Sequence, residues 1–120
     1  MTDIHPLLGL RVLYTLSEQD RDQIVQRRRA AGIGTLSGND PRPGDVFPAV
    51  IVRVWSTKAG EAAGITPHVN LQVLLDGNDA HWVTSRSEFD ATRDGRHAGY
   101  DDPEEPTWIP DSRGHWTRRG

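Results

Sequence analysis

The stretch "VNLQVLLDGNDAHWVTSR", Val69 to Arg86, decides the fold. Val69, Leu71, Val73 and Leu75 alternate with Asn70, Gln72 and Leu74, the period of two by which a strand buries one of its faces. Beyond "DGND", Asp76 to Asp79, a second alternation sets His81, Val83 and Ser85 against Trp82, Thr84 and Arg86. Asp-Gly and Gly-Asn supply the positive backbone angles of a tight hairpin turn, so two antiparallel strands are expected. The turn is also similar in composition to half of a calcium loop. The twelfth position from Asp76 is Ser87, however, where such a loop needs a bidentate Glu.

Upstream, "VFPAVIVRVW", Val46 to Trp55, reads as a further strand, with Val50, Val52 and Val54 on one face and Ala49, Ile51, Arg53 and Trp55 on the other. Pro48 lacks an N–H donor and marks an edge or a strand entry. "LRVLYTL", Leu10 to Leu16, supplies another strand, with Val12, Tyr14 and Leu16 on its buried side. Between them "SEQDRDQIVQRRRAAG" reads as a helix over 17–31. Ser17 is its N-cap, acidic residues lie near its start, Arg27, Arg28 and Arg29 crowd its end, and Gly32 offers a left-handed stop. This charge order complements the helix dipole without any ligand. Only Ile24, Val25, Ala30 and Ala31 are available for burial, so weak docking is expected, with an arginine-rich face turned outward.

Residues 33–45 and 56–68 are rich in Gly, Pro, Ala and small polar residues and read as loops. The expected fold class is mainly β with one helix (α+β): a small SH3-like barrel, or an antiparallel meander with an inserted helix. A short segment, Thr107 to Ile109, would be the closing strand. Residues 1–90 form the β core in this reading. Residues 91–120 form an extended C-terminal arm, acidic at Asp101, Asp102, Glu104 and Glu105 and basic at its end. The arm places Tyr100, Trp108 and Trp116 eight residues apart, and large aromatic residues on an extended segment anchor it wherever they find a pocket. Deletion of 100–120 is expected to leave the core folded.

The chain of 120 residues has room for one small core. It has no Cys, which removes disulfides, thiolate nucleophiles and Cys-based zinc sites. Five His residues are scattered without a ligand-like spacing. No nucleophile elbow, phosphate-binding loop or dinucleotide fingerprint occurs. No catalytic residue, metal or cofactor is therefore expected, and the chain is not expected to be an enzyme. The longest apolar run, Val46 to Trp55, is far too short to span a bilayer, and the N-terminus has no basic leader, so no membrane is expected among its partners. A formal net charge of -3 disfavours general nucleic-acid binding.

Three segments, "LYTLSEQDRDQIVQRRR" (13–29), "GDVFPAVIVRVW" (44–55) and the opening hairpin, resemble a family of small proteins encoded by phages of actinobacteria. The likeness covers roughly the first three quarters of the chain; "TWIPDSRGHW" and a longer acidic insert depart from the family pattern. It brings no activity with it and implies a phage gene product. The expected role is a virion structural protein, a capsid decoration or minor capsid protein that stabilises the shell by bridging subunits. It would be made in the host cytoplasm, with the major capsid protein or further copies of itself as partners. Arg27, Arg28, Arg29, Tyr100, Trp108 and Trp116 are the expected partner-binding residues. The alternative is a soluble effector that binds a host protein or small ligand through a barrel mouth near Arg53, His81 and Arg86.

Overall fold

Alternation of apolar side chains builds four of the five strands in the main sheet. The computed structural model describes residues 4–32, 39–76, 79–98 and 107–118. Elements run β1 (Arg11–Thr15), α1 (Glu18–Ala30), β2 (Val46–Trp55), α2 (Lys58–Ala62), β3 (His68–Leu74), β4 (Ala80–Arg86), β5 (Gly95–Ala98), β6 (Thr107–Pro110) and β7 (Trp116–Arg118). The chain is mainly β, of the α+β class, and its five-stranded antiparallel sheet has the order β4-β3-β2-β1-β7. Strands β1 to β4 form the expected meander, with α1 inserted after the first strand.

The sheet is open. Among the described residues a single parallel bridge, Glu88 to Trp116, joins the segment after β4 to the free side of β7, where the Phe89 N–H donates to the Trp116 carbonyl at 2.8 Å. The expected closing segment lies elsewhere: β6 pairs with β5 in a separate two-stranded sheet. The fifth strand of the main sheet is β7, whose Trp116 opposes Tyr14 of β1. Residues 91–120 are thus not an arm outside the core, because their last strand belongs to it. Trp116 is fully buried there.

One face of the sheet carries the core. Val12 and Tyr14, Ala49 and Ile51, Val69, Leu71 and Val73, and Val83 all point to it, and Ile24 of α1 packs against them. Helix α1 buries Asp20, Ile24 and Arg28, a stripe at intervals of four that puts three side chains on one helical face. The helix is docked by two charged residues around a single apolar one. Val25 is only partly buried and Ala30 and Ala31 are exposed, which corrects the apolar stripe expected for the helix.

Two bulges break the strand alternation at one place. In β2 an extra residue falls between Ile51 and Arg53, and β4 has a matching shift opposite Val69 to Leu71. A one-residue shift turns every later side chain over. Val54 therefore turns toward the core instead of Trp55, and Arg86 pairs with inward Val69 rather than joining Trp82. The loop after β2 contains α2, whose N-cap Thr57 accepts from the Gly60 N–H at 2.9 Å.

Gly95 is set by contact. A Cβ there would lie 2.4 Å from the Ile109 carbonyl oxygen and 2.8 Å from Trp108 Cζ2. Gly95→Ala should therefore splay β5 from β6 while sparing the main sheet. Hydrogen exchange will read this as faster exchange across 95–98 and 107–110, with protection in β1 to β4 unchanged.

Candidate functional site

The expected partner-binding residues do not form one surface. Arg28 is 3% exposed. Its Nε and Nη2 donate to Asp79 Oδ2 at 2.8 and 2.6 Å, and its Nη1 donates to the Asn39 carbonyl at 2.7 Å. Arg27 reaches the other oxygen of Asp79 at 2.6 Å. Burial raises the carboxyl pKa of Asp79, but the two guanidinium groups outweigh it and hold the pKa below the usual range. Two of the three arginines therefore bind the helix to the hairpin, and Arg29 alone of the run is exposed without an ion-pair partner among the described residues.

The aromatic anchors divide in the same way. Trp116 fills this chain's own core, which corrects its assignment to a partner's pocket. Its indole N–H donates to the Arg86 carbonyl at 3.3 Å, and its backbone N–H donates to the Ser87 carbonyl at 3.3 Å. Trp108 is half-buried and donates through Nε1 to the Ala91 carbonyl at 2.6 Å. Tyr100 and the acidic residues 101–105 lie outside the described residues.

The barrel mouth expected near Arg53, His81 and Arg86 is not assembled. Arg53 lies on the outer face, with its guanidinium carbon 3.9 Å from the centroid of the Trp55 ring. His81 and Arg86 lie on the inner side around Asp20, which is fully buried. Asp20 accepts from the Tyr14 hydroxyl at 2.6 Å and from the Ser17 N–H at 2.9 Å, while His81 Nε2 sits 3.0 Å away and Arg86 3.7 Å away. Burial pushes the Asp20 carboxyl up. Hydrogen bonds from His81, Tyr14 and Ser17 outweigh burial and bring it down to about 2. Burial and the Asp20 carboxylate both push the Tyr14 hydroxyl up. The Ser17 N-cap was readable from the sequence, but the capping box it forms with Asp20 and the contact of Asp20 with His81 were not, because His81 is 61 positions away.

A Ser, His and Asp also meet where β7 joins the segment after β4. Ser87 Oγ is 3.0 Å from His115 Nδ1, and His115 Nε2 is 3.6 Å from Asp94. His115 Nδ1 also faces the Ser87 carbonyl at 3.3 Å. This geometry ties three segments of the chain together.

The outer face of the sheet is the most conspicuous surface. In register across β1 to β4, Leu13 opposes Pro48, Val50 opposes Gln72, Gln72 opposes Trp82, and Leu74 opposes Ala80. Val46 is 54% exposed, Val52 43%, Leu74 41% and Trp82 58%. Helix α1 lies on the opposite side, so no described helix covers this apolar field. This face is largely apolar, built on a stiff sheet, and carries a large aromatic residue on its edge strand β4. Sequence alternation placed Trp82 and Leu74 on this face but could not show that it stays bare.

Fold and surface together define a small α+β protein with one bare sheet face. No family model, curated protein or solved structure matches the chain.

Proposed function

We propose that this protein is a phage virion structural protein, a capsid decoration or minor capsid protein that docks on the shell through the outer face of its sheet and bridges subunits there. The observation that carries the reading is the exposed apolar field of Val46, Val52, Leu74 and Trp82. Several exposed large apolar side chains on one sheet face are the kind of surface that protein–protein contact sites use. The likeness of residues 13–29, 44–55 and 69–86 to small phage proteins supports the setting. The shell's major capsid protein would then cover the field.

Mass spectrometry of purified virions tests the setting, with peptides expected in stoichiometric yield; absence from the particle would end the proposal. Trp82→Ala tests the surface. Buried aromatic anchors contribute about 2 kcal/mol or more, so binding to the shell should weaken by about thirty-fold or more. Circular dichroism should show the fold unchanged, because Trp82 points away from the core. Normal decoration by the variant would remove the outer face from consideration.

A further inference from the structure

The two bulges converge on Asn70 and build a second site at the end of the sheet. Asn70 points to the outer side, yet it is only 5% exposed. Its Oδ1 accepts from the Trp55 indole N–H at 2.9 Å and from the Ser85 backbone N–H at 3.0 Å. Ser85 has φ of 53°, the one positive value at a non-glycine residue among those described. Such a backbone persists only when its surroundings hold it, and strained residues of this kind gather at binding sites. One side-chain oxygen thus fixes both the plane of an indole and an unusual backbone.

Trp55 and Ser85 form part of the wall of a cavity of about 290 Å³ between the end of β2, α2 and the start of β3. This volume lies at the bottom of the range for ligand pockets, which suits a single side chain better than a nucleotide or a large cofactor. Glu61, Ile65 and His68 complete the wall, and no Lys or Arg lines it. The Glu61 carboxylate is half exposed, and its one ion-pair contact among the described residues, the His5 ring, lies 3.9 Å away, beyond hydrogen-bond reach. Ile65, 65% exposed, offers an apolar surface beside it. The Trp55 ring already holds the Arg53 guanidinium at 3.9 Å, and Arg53 does not line the cavity.

An aromatic wall, an apolar flank and one carboxylate without a close partner match a long side chain with a cationic head. The stem packs on Trp55 and Ile65, and the head meets Glu61. The cavity also runs on. Ile65, Thr66 and His68 line a second hollow, of about 550 Å³, that continues past Glu88, Phe89 and Asp90 to Arg93. A free amine would fill only the first part. We infer that this groove binds an extended segment of a partner protein, with a lysine or arginine side chain of that segment seated between Trp55 and Glu61. The inference stands independently of the shell-docking role, because the lining of this groove includes none of Val46, Val52, Leu74 and Trp82.

The test uses the full chain and three synthetic peptides, acetyl-Gly-X-Gly-X-Gly-amide, with X as lysine, norleucine or glutamate. The Trp55 indole N–H resonance is assigned from a Trp55→Phe variant and followed by two-dimensional NMR during titration. The lysine peptide should shift the Trp55 indole and the Gly60 and Ser85 amides saturably, while the norleucine peptide, which has the stem without the charge, should bind at least about tenfold more weakly. Glu61→Gln should weaken lysine-peptide binding by a similar factor without changing the melting temperature, and Trp82→Ala should leave it unaltered. Equal binding of the norleucine peptide, full affinity in Glu61→Gln, or no saturable shift with the lysine peptide would each overturn the inference.

Discussion

Trp116→Ala should lower stability by about 3–5 kcal/mol, the usual cost of truncating a buried indole. Trp116 is fully buried between β1 and the chain after β4, and it bonds to that chain through both its indole and its backbone. Small domains hold only about 5–15 kcal/mol in total, so a fall in melting temperature of roughly 10–20 °C is expected. Removing residues 112–120 should do more, since it deletes β7 entirely and exposes the edge of β1. Thermal melts followed by circular dichroism decide the matter. A truncated chain that melts like the full-length protein would restore the C-terminal segment to the status of a dispensable arm.

Asp20→Ala should cost a similar amount, about 3–5 kcal/mol, because it leaves the buried Tyr14 hydroxyl and His81 ring, together with Arg86, without their shared partner. Asp20 is where α1 meets both β1 and β4: its carboxylate takes the Tyr14 hydroxyl, the His81 ring and the capping N–H of Ser17. Arg86 adds a charge at 3.7 Å, and its Nε is buried without a hydrogen-bond partner among the described residues. Chemical denaturation of Asp20→Ala beside Tyr14→Phe separates loss of the carboxylate from loss of one hydrogen bond, and the tyrosine change should cost about 1 kcal/mol or somewhat more. Equal stabilities for wild type and Asp20→Ala would show that the helix is held by Ile24 and the Arg27 and Arg28 contacts to Asp79, without help from Asp20.

The same carboxylate sets an acid response. Its pKa falls from the ordinary aspartate value of 3.8 to about 2 in the folded chain, a depression worth about 2 kcal/mol. This stability is fully present above the unfolded-state value and is lost as pH falls through about 2. Asp79 and Asp94 are depressed as well and add to the slope in the same direction. The part due to Asp20 therefore appears as a difference: between pH 4 and pH 2, wild type should lose more stability than Asp20→Asn. Parallel curves would contradict the assignment.

Short-range physics made part of this protein legible from its residues. The period of two in 10–16 and 69–86 placed Val12, Tyr14, Leu71, Val73 and Val83 in the core, where the structure has them. Ser17 three positions before Asp20 announced the start of α1, and the capping box forms there. Signals of this kind act within a turn or a strand, over distances that a window of sequence contains. The outward face of Trp82 and Leu74 came from the same alternation.

What the tertiary structure decided was everything that depends on which distant segments meet. β7 is three residues long, too short for any periodic signal, and it is a strand only because the Trp116 side chain and the β1 edge accept it. The bulges beside Asn70 reverse the facing of Val54 and Arg86, and local alternation cannot foresee a shift imposed by a neighbouring strand. Arg28 and Asp79 are 51 positions apart, and Asp20 and His81 are 61 apart. Each of these residues alone reads as a solvated polar group. They find partners because the meander brings the start of β4 under α1, where Arg28, Asp20 and His81 are buried and low polarity makes a partner obligatory.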